Sequence, residues 1–370
     1  MDIIQVTTKA ELKQFIHFPY SFYKNDPLWV PPLLVELKGQ FNSKKNPLLD
    51  HCEYALFLLE CNHQVIGRIA AFIDHLAVDF WKEPIGLFGY YECIDDRDAS
   101  ELLLNTALNW LKQHGMKSMR GPWSFVSQEW GLVIDGFSPS PVIMAPYNPP
   151  YYINHFENFG LAKAKDLLCY YISGREGYVV PSRILDLTND VAKRFEVTVR
   201  RVDMKNYDKE VQTIIELSNN SLIGNWGYSP LTKAEAEAVA RDLKSIIQTK
   251  GVLFAEDKYG KAIGFVIAIP DINIILKNMK GRLFPFGWLK LLWGLPRLTN
   301  FRLFGLGVVP EYQGKGIDSL LYRALNDSLY TPDLWLEINY VLEDNCHMNN
   351  AIIKLDAKLL RKYRVYEKVI

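Results

Sequence analysis

The chain has no surplus of charge. Forty-two Lys and Arg offset 42 Asp and Glu over 370 residues, so whole-chain electrostatics gives no reason to expect nucleic-acid binding. Cysteine is sparse. Cys52, Cys61, Cys93, Cys169 and Cys346 are odd in number, scattered and never spaced C-x-x-C, which excludes the common zinc and dithiol motifs and reads as reduced thiols in a cytoplasmic protein. His51, His63 and His75 fall outside zinc spacing, so no metal is expected. Long apolar runs are missing, and Met1–Gln5 does not open a cationic segment followed by an apolar core; neither membrane spanning nor secretion is expected. There is no G-x-S-x-G elbow, so covalent acyl-enzyme chemistry lacks support. With 23% charged and 49% hydrophobic residues, the chain is globular rather than disordered.

Its length suits two domains, and an internal repeat supplies them. Val65–Asp74 aligns with Ala262–Asp271, sharing Ile-Gly, an alanine four places on and the final aspartate. Each segment follows an apolar run and a polar turn, as a β-hairpin does. Leu87-Phe88-Gly89 then matches Leu303-Phe304-Gly305, and Leu103-Leu104-x-x-Ala107-Leu108 matches Leu320-Leu321-x-x-Ala324-Leu325. Hairpin, strand and helix thus occur twice in the same order. The Gly- and Pro-bearing stretch Ser173–Pro181 reads as the linker, giving domains 1–175 and 176–370. The second opens with a strand at Val197–Val199 and helices near 207–219 and 233–248.

The segment Leu306-Gly307-Val308-Val309-Pro310-Glu311-Tyr312-Gln313-Gly314-Lys315-Gly316-Ile317 is a strand, a proline stop, a glycine turn and a helix start. It is neither a P-loop nor a dinucleotide turn. The first turn of the helix directs unpaired N–H groups and the positive dipole end at the glycines, and Gly314 and Gly316 let backbone approach an anion closely. Lys315 adds charge. The corresponding turn of the first copy is Asp95-Asp96-Arg97-Asp98, whose acids would repel a pyrophosphate.

At Val308, Pro310, Gln313 and Gly316 the sequence resembles the GNAT acetyltransferase superfamily, whose acyl-CoA signature is V-x-P-x-x-Q/R-x-x-G-x-G/A. Asp318 stands where the last small residue belongs. The resemblance continues at Asn345 and Lys354 of the N-x-x-A-x-x-x-Y-x-K-x-G-F pattern, with Ile352 replacing the tyrosine that often serves as general acid. It implies an α/β (α+β) chain of two GNAT-like domains, each a mixed, mostly antiparallel sheet flanked by helices, the first a degenerate copy. The implied co-substrate is acetyl-CoA or another acyl-CoA, held by Val308, Val309, Gln313, Gly314, Lys315, Gly316 and Ile317. Strand N–H groups near Val308 and Val309 would hold the thioester carbonyl. The acyl group would pass directly to the amine of a small molecule or peptide.

The fourth strand of the second copy lacks the carboxylate that many relatives carry. Alternation along Leu334–Val341 places Trp335, Glu337, Asn339 and Val341 on one face, making Glu337 the candidate base with Asn339 and Asn345 beside it; a buried Glu tied to the Asn345 region is the structural alternative. Two other functions fit: a non-catalytic acyl-CoA sensor, or aminoacyl or fatty-acyl transfer at a membrane surface. The last draws on residues 276–302, where six Lys and Arg intersperse with Phe and Trp without any acid, a pattern suited to peripheral membrane contact or to a lid over the acyl site. Gly121-Pro122-Trp123, Glu129-Trp130-Gly131 and Pro146–Tyr152 read as interface packing or as the lining of a substrate cleft.

Overall fold

A computed structural model describes residues 1–125 and 129–370. The chain divides into two compact units: Met1–Leu167 with Leu276–Pro285 and Arg361–Ile370, and Leu168–Ile275 with Phe286–Leu360.

The first unit contains β1 (Asp2–Gln5), α1 (Lys9–Phe22), α2 (Leu34–Gln40), β2 (Cys52–Cys61), β3 (Gln64–Asp74), α3 (His75–Trp81), β4 (Ile85–Cys93), α4 (Arg97–Gln113), β5 (Ser118–Gly121), β6 (Leu132–Asp135) and α5 (Tyr152–Asn158); β7 (Ala162–Ser173) leads out of it. Strands β1 to β4 pair antiparallel in order, and β5 joins β4 in parallel. Residues 361–370 complete this unit, pairing antiparallel with β5 and with β6. One face of α4 supplies Ala99, Leu103, Leu104, Ala107 and Leu111, all fully buried; of the four repeat positions, Leu103, Leu104 and Ala107 lie in the core and Leu108 packs half-buried against it.

The second unit continues with α6 (Ser182–Phe195), β8 (Thr198–Arg201), α7 (Tyr207–Leu222), α8 (Lys233–Leu243), β9 (Val252–Glu256), β10 (Ala262–Pro270), the single turn α9 (Asn273–Leu276), α10 (Gly287–Gly294), β11 (Asn300–Val308), α11 (Ile317–Leu329), β12 (Trp335–Leu342), α12 (Cys346–Lys354) and β13 (Lys358–Val369), whose end belongs to the first unit. Strands β8 to β11 pair antiparallel, and β12 joins β11 in parallel. Mixed, mostly antiparallel sheets with flanking helices are the expected fold class, and the hairpin–strand–helix order recurs in both units. Helix α11 packs on α6, β9, β10 and β11 through Ile317, Leu320, Leu321, Leu325 and Leu329. Burying each such side chain contributes about 1.5–3 kcal/mol, enough to fix the helix start against the sheet.

Helix α6 is an addition to the sequence reading. Ile184, Thr188 and Val191 face inward at intervals of four and three residues, a helical period that follows directly on the linker glycines.

Candidate functional site

The site candidates lie in the second unit, and a β-bulge organises them. Ile267 of β10 pairs with Gly305, but Ala268 pairs with Leu303, leaving Phe304 as the extra residue on β11. A bulge bends its strand and sharpens the twist. Beside it, the parallel pairing of β11 with β12 runs only from Asn300↔Trp335 to Leu303↔Ile338. Past that point, among the described residues, no ladder joins the two strands. A ligand carrying amides can use backbone groups exposed along such an opening.

Around the opening stand the predicted strand residues. Glu337 is 1% exposed, and its register partner on β11 is Arg302, which is itself fully buried. The Glu337 carboxylate accepts from the Trp335 indole N–H (3.2 Å) and from the Cys169 thiol (3.6 Å). Trp335 in turn stacks on Tyr171 at 4.5 Å between centroids. Asn339 is 3% exposed, yet neither its Oδ1 nor its Nδ2 has a hydrogen-bond partner. Buried amides without partners cost on the order of 1–3 kcal/mol, and one retained in a folded protein calls for a reason such as strain, a catalytic role or a bound water or ion.

Two expectations need correction. Val341 does not share a face with Glu337 and Asn339; it packs in the core with Leu334, Leu336 and Ile338, so strict alternation ends at Asn339. The Val309 N–H already donates to the Ile263 carbonyl (2.9 Å), and it is therefore not available to a thioester oxygen.

Asn345 serves as the N-cap of α12, where its side-chain oxygen accepts from the Met348 N–H at 3.1 Å. Asn349, which the sequence reading missed, ties this end together: Tyr170 Oη donates to its Oδ1 (2.9 Å), while its Nδ2 donates to the carbonyls of Leu342 and Asn345 (both 3.0 Å). Burial pushes the Tyr170 phenol above its ordinary range. Ile352, at the family's tyrosine position, is fully buried in the core.

The glycine turn is built as the sequence predicts. Pro310–Tyr312 form one 3-10 turn, and the Gln313 side-chain amide donates to the Val308 carbonyl at 2.9 Å, locking the loop to the strand end. Gly314 and Gly316 have φ of 71° and 82°, conformations in which a side chain is strained. A Cβ on Gly314 would meet open space, whereas one on Gly316 would lie 2.9 Å from Val191 Cγ2 of α6. Gly316 is the N-cap of α11 and offers no side-chain cap hydrogen bond. The first-turn N–H groups thus have no acceptor of that kind, and a helix start in this state favours an anion. Lys315 is exposed, its Nζ held over the rings of Tyr312 (4.9 Å) and Phe195 (5.5 Å). Val308 and Ile317 are buried and anchor the two ends of the turn.

In the first unit, Trp123 and Trp130 pack on each other at 4.6 Å, Tyr147 hydrogen-bonds Asp26, and Tyr152 is buried in the core. His51, Cys52 and Asp74 bring ligand atoms within 4.8 Å of one another. There, Asp74 Oδ1 accepts from the Ala77 N–H as the cap of α3 and lies 3.0 Å from His51 Nδ1.

No family model matches the chain. It is 35% identical to Protein YghO of Escherichia coli (strain K12) over 98% of this chain and 94% of that protein. It is 34% identical to the bacterial ceramide synthase of Caulobacter vibrioides (strain NA1000 / CB15N) over 100% of this chain and 98% of that protein. Among solved structures, a tandem GNAT protein from the clavulanic acid biosynthesis pathway matches with a TM-score of 0.57 and 12% identity, over 100% of this chain and 98% of that one. A GCN5-related glucosamine N-acetyltransferase region of a fungal multi-domain β-N-acetylglucosaminidase gives 0.59 and 11%, over 99% of this chain and 38% of that one. Identities this low show a shared fold. The chain has the tandem GNAT fold and belongs to the family that includes YghO and the bacterial ceramide synthase.

Proposed function

We propose that the second unit transfers an acyl group from acyl-CoA to an amine. The observation that carries this reading is the pairing of an anion-ready helix start at Gly316 with a sheet opened next to Asn339. CoA needs both features. Its pyrophosphate would lie on the Gly314–Ile317 turn, while its amide-bearing arm would follow the unpaired edges of β11 and β12. The unpartnered Asn339 amide would hydrogen-bond that arm or the thioester carbonyl.

In the reaction, the amine nitrogen attacks the thioester carbon, the carbon–sulfur bond breaks, and an amide and the CoA thiol form. Glu337 would accept the amine proton, directly or through water, and the thiolate takes up a proton on leaving. General-base catalysis of this kind contributes roughly 10²–10⁴-fold. The Cys169 and Trp335 contacts would hold the carboxylate in place while it acts.

Kinship supports a reading of the acceptor. Because one relative is named a ceramide synthase, we infer a fatty acyl-CoA donor and a long-chain amino alcohol as acceptor, in preference to acetyl transfer to a small amine. The buried Ile352 favours a second reading, an acyl-CoA-binding protein without turnover.

A single assay separates these readings: release of free CoA thiol from acetyl-CoA and long-chain acyl-CoA, each with a small amine or a long-chain amino alcohol. Amine-dependent thiol release with the long-chain pair is expected. Release with acetyl-CoA alone would return the donor to acetyl, and binding without any release would leave only the sensor.

A further inference from the structure

We propose that α10 docks the protein onto the surface of an anionic phospholipid bilayer. This inference is independent of which amine is acylated. Residues 286–294 read Phe-Gly-Trp-Leu-Lys-Leu-Leu-Trp-Gly, and no residue of α10 is buried. Phe286 is 68% exposed, Trp288 44%, Leu292 61% and Trp293 65%. An ordinary surface helix turns its apolar stripe inward. Here the stripe is turned outward: at about 100° per residue, Trp288, Leu292, Leu289 and Trp293 occupy one arc of roughly 140°.

The charge beside that arc selects the occupant. Lys290 and Arg297 are both exposed, and no Asp or Glu occurs between Asp271 and Glu311. A second copy of this chain would bring its own Lys290 and Arg297 to the same face, with no acid from the segment to pair them. A nucleic acid would meet an apolar centre with only two cations at its edge. An anionic bilayer satisfies both halves of the patch, because indole rings settle at headgroup depth and Lys and Arg reach the phosphates. The short helix would lie in the interface, since no helix of the described residues is long and apolar enough to cross a membrane.

The test is co-sedimentation of the full chain with vesicles of phosphatidylcholine alone or mixed with phosphatidylglycerol, at physiological salt. The unsubstituted protein should partition about tenfold more strongly onto the anionic vesicles. Trp288→Ser with Trp293→Ser should lose binding to both, whereas Lys290→Glu with Arg297→Glu should lose the preference for anionic lipid. The circular dichroism spectrum should not change, and the charge variants, whose Lys290 and Arg297 side chains are exposed, serve as a second readout if the Trp pair does not fold. Equal partition onto the two vesicle types, no partition at all, or a Trp variant that binds like the original would overturn the proposal. So would a shift from dimer to monomer in the Trp variant with vesicle binding unchanged, which would make α10 an interface between copies.

Discussion

Strands β4 and β5 of the first unit and strands β11 and β12 of the second begin alike and end differently. Both pairs are parallel, and in both the neighbouring hairpin strand meets a bulge. Aligning Leu87 with Leu303 through the repeat, the first unit pairs Gly86↔Met119 where the second pairs Arg302↔Glu337. Two residues further, Gly121 faces Phe88 so closely that an added Cβ would collide with the Phe88 carbonyl, and the Trp123 N–H donates to that same carbonyl at 2.8 Å. At the matching place the second unit holds Asn339 with both polar atoms unsatisfied. The helix starts diverge likewise: Asp96 caps α4 by accepting from the Ala99 N–H at 2.8 Å, whereas Gly316 leaves α11 without such a cap. One scaffold can therefore close its gap and cap its helix start with its own groups, as the first unit does, or leave the gap open and the helix start without a side-chain cap, as the second does.

Replacing the carboxylate that only the second unit carries should have the largest effect. Glu337→Gln keeps size and can still meet Trp335 or Cys169, but it cannot take a proton; kcat should fall about 10²–10⁴-fold with CoA affinity and melting temperature nearly constant. Full activity would return Glu337 to a structural role. Next is Gly316→Val, which combines φ of 82° with a Cβ 2.9 Å from Val191 and should weaken CoA binding on the order of 100-fold by displacing the helix start from the phosphates. Calorimetry on the folded variant showing unaltered binding would remove the anion site from the glycine turn.

Asn345→Ala should cost about 0.5–2 kcal/mol of stability by uncapping α12, read as a lower denaturant midpoint, while Asn345→Asp should restore it. A large loss of kcat at unchanged stability would instead place Asn345 in the chemistry. The smallest effect is expected in the first unit: Asp95→Lys with Asp98→Lys should change neither CoA affinity nor a stoichiometry of one per chain. Titration to two equivalents would erase the contrast between the copies.

Much of this arrangement is legible in the residues alone. The repeat, the glycine turn and the inward face of α11 follow from apolar spacing and the positions of Gly and Pro, because those patterns are local. What is not local could not be read. Val309 spends its N–H on Ile263, and Val341 leaves the face of Glu337 for the core. Each depends on which strand lies alongside. Asn345 shows the converse, since a cap and a catalytic amide look alike until the Met348 N–H is found bonded to it. The period of α6 is local too, carried by Ile184, Thr188 and Val191 just past the linker glycines.

The last ten residues of the chain give the first unit its timetable. Tyr363, Val365 and Tyr366 are fully or almost fully buried, their strand runs against β5 and β6, and Arg120 Nε donates to Glu367 from 247 residues away in sequence. During synthesis, the first unit must therefore wait for residues 361–370 before its sheet is whole, with the edge of β5 unpaired until then. Strand edges in that state invite wrong partners. Deleting residues 361–370 would be felt first at β5 and β6, far earlier in the sequence.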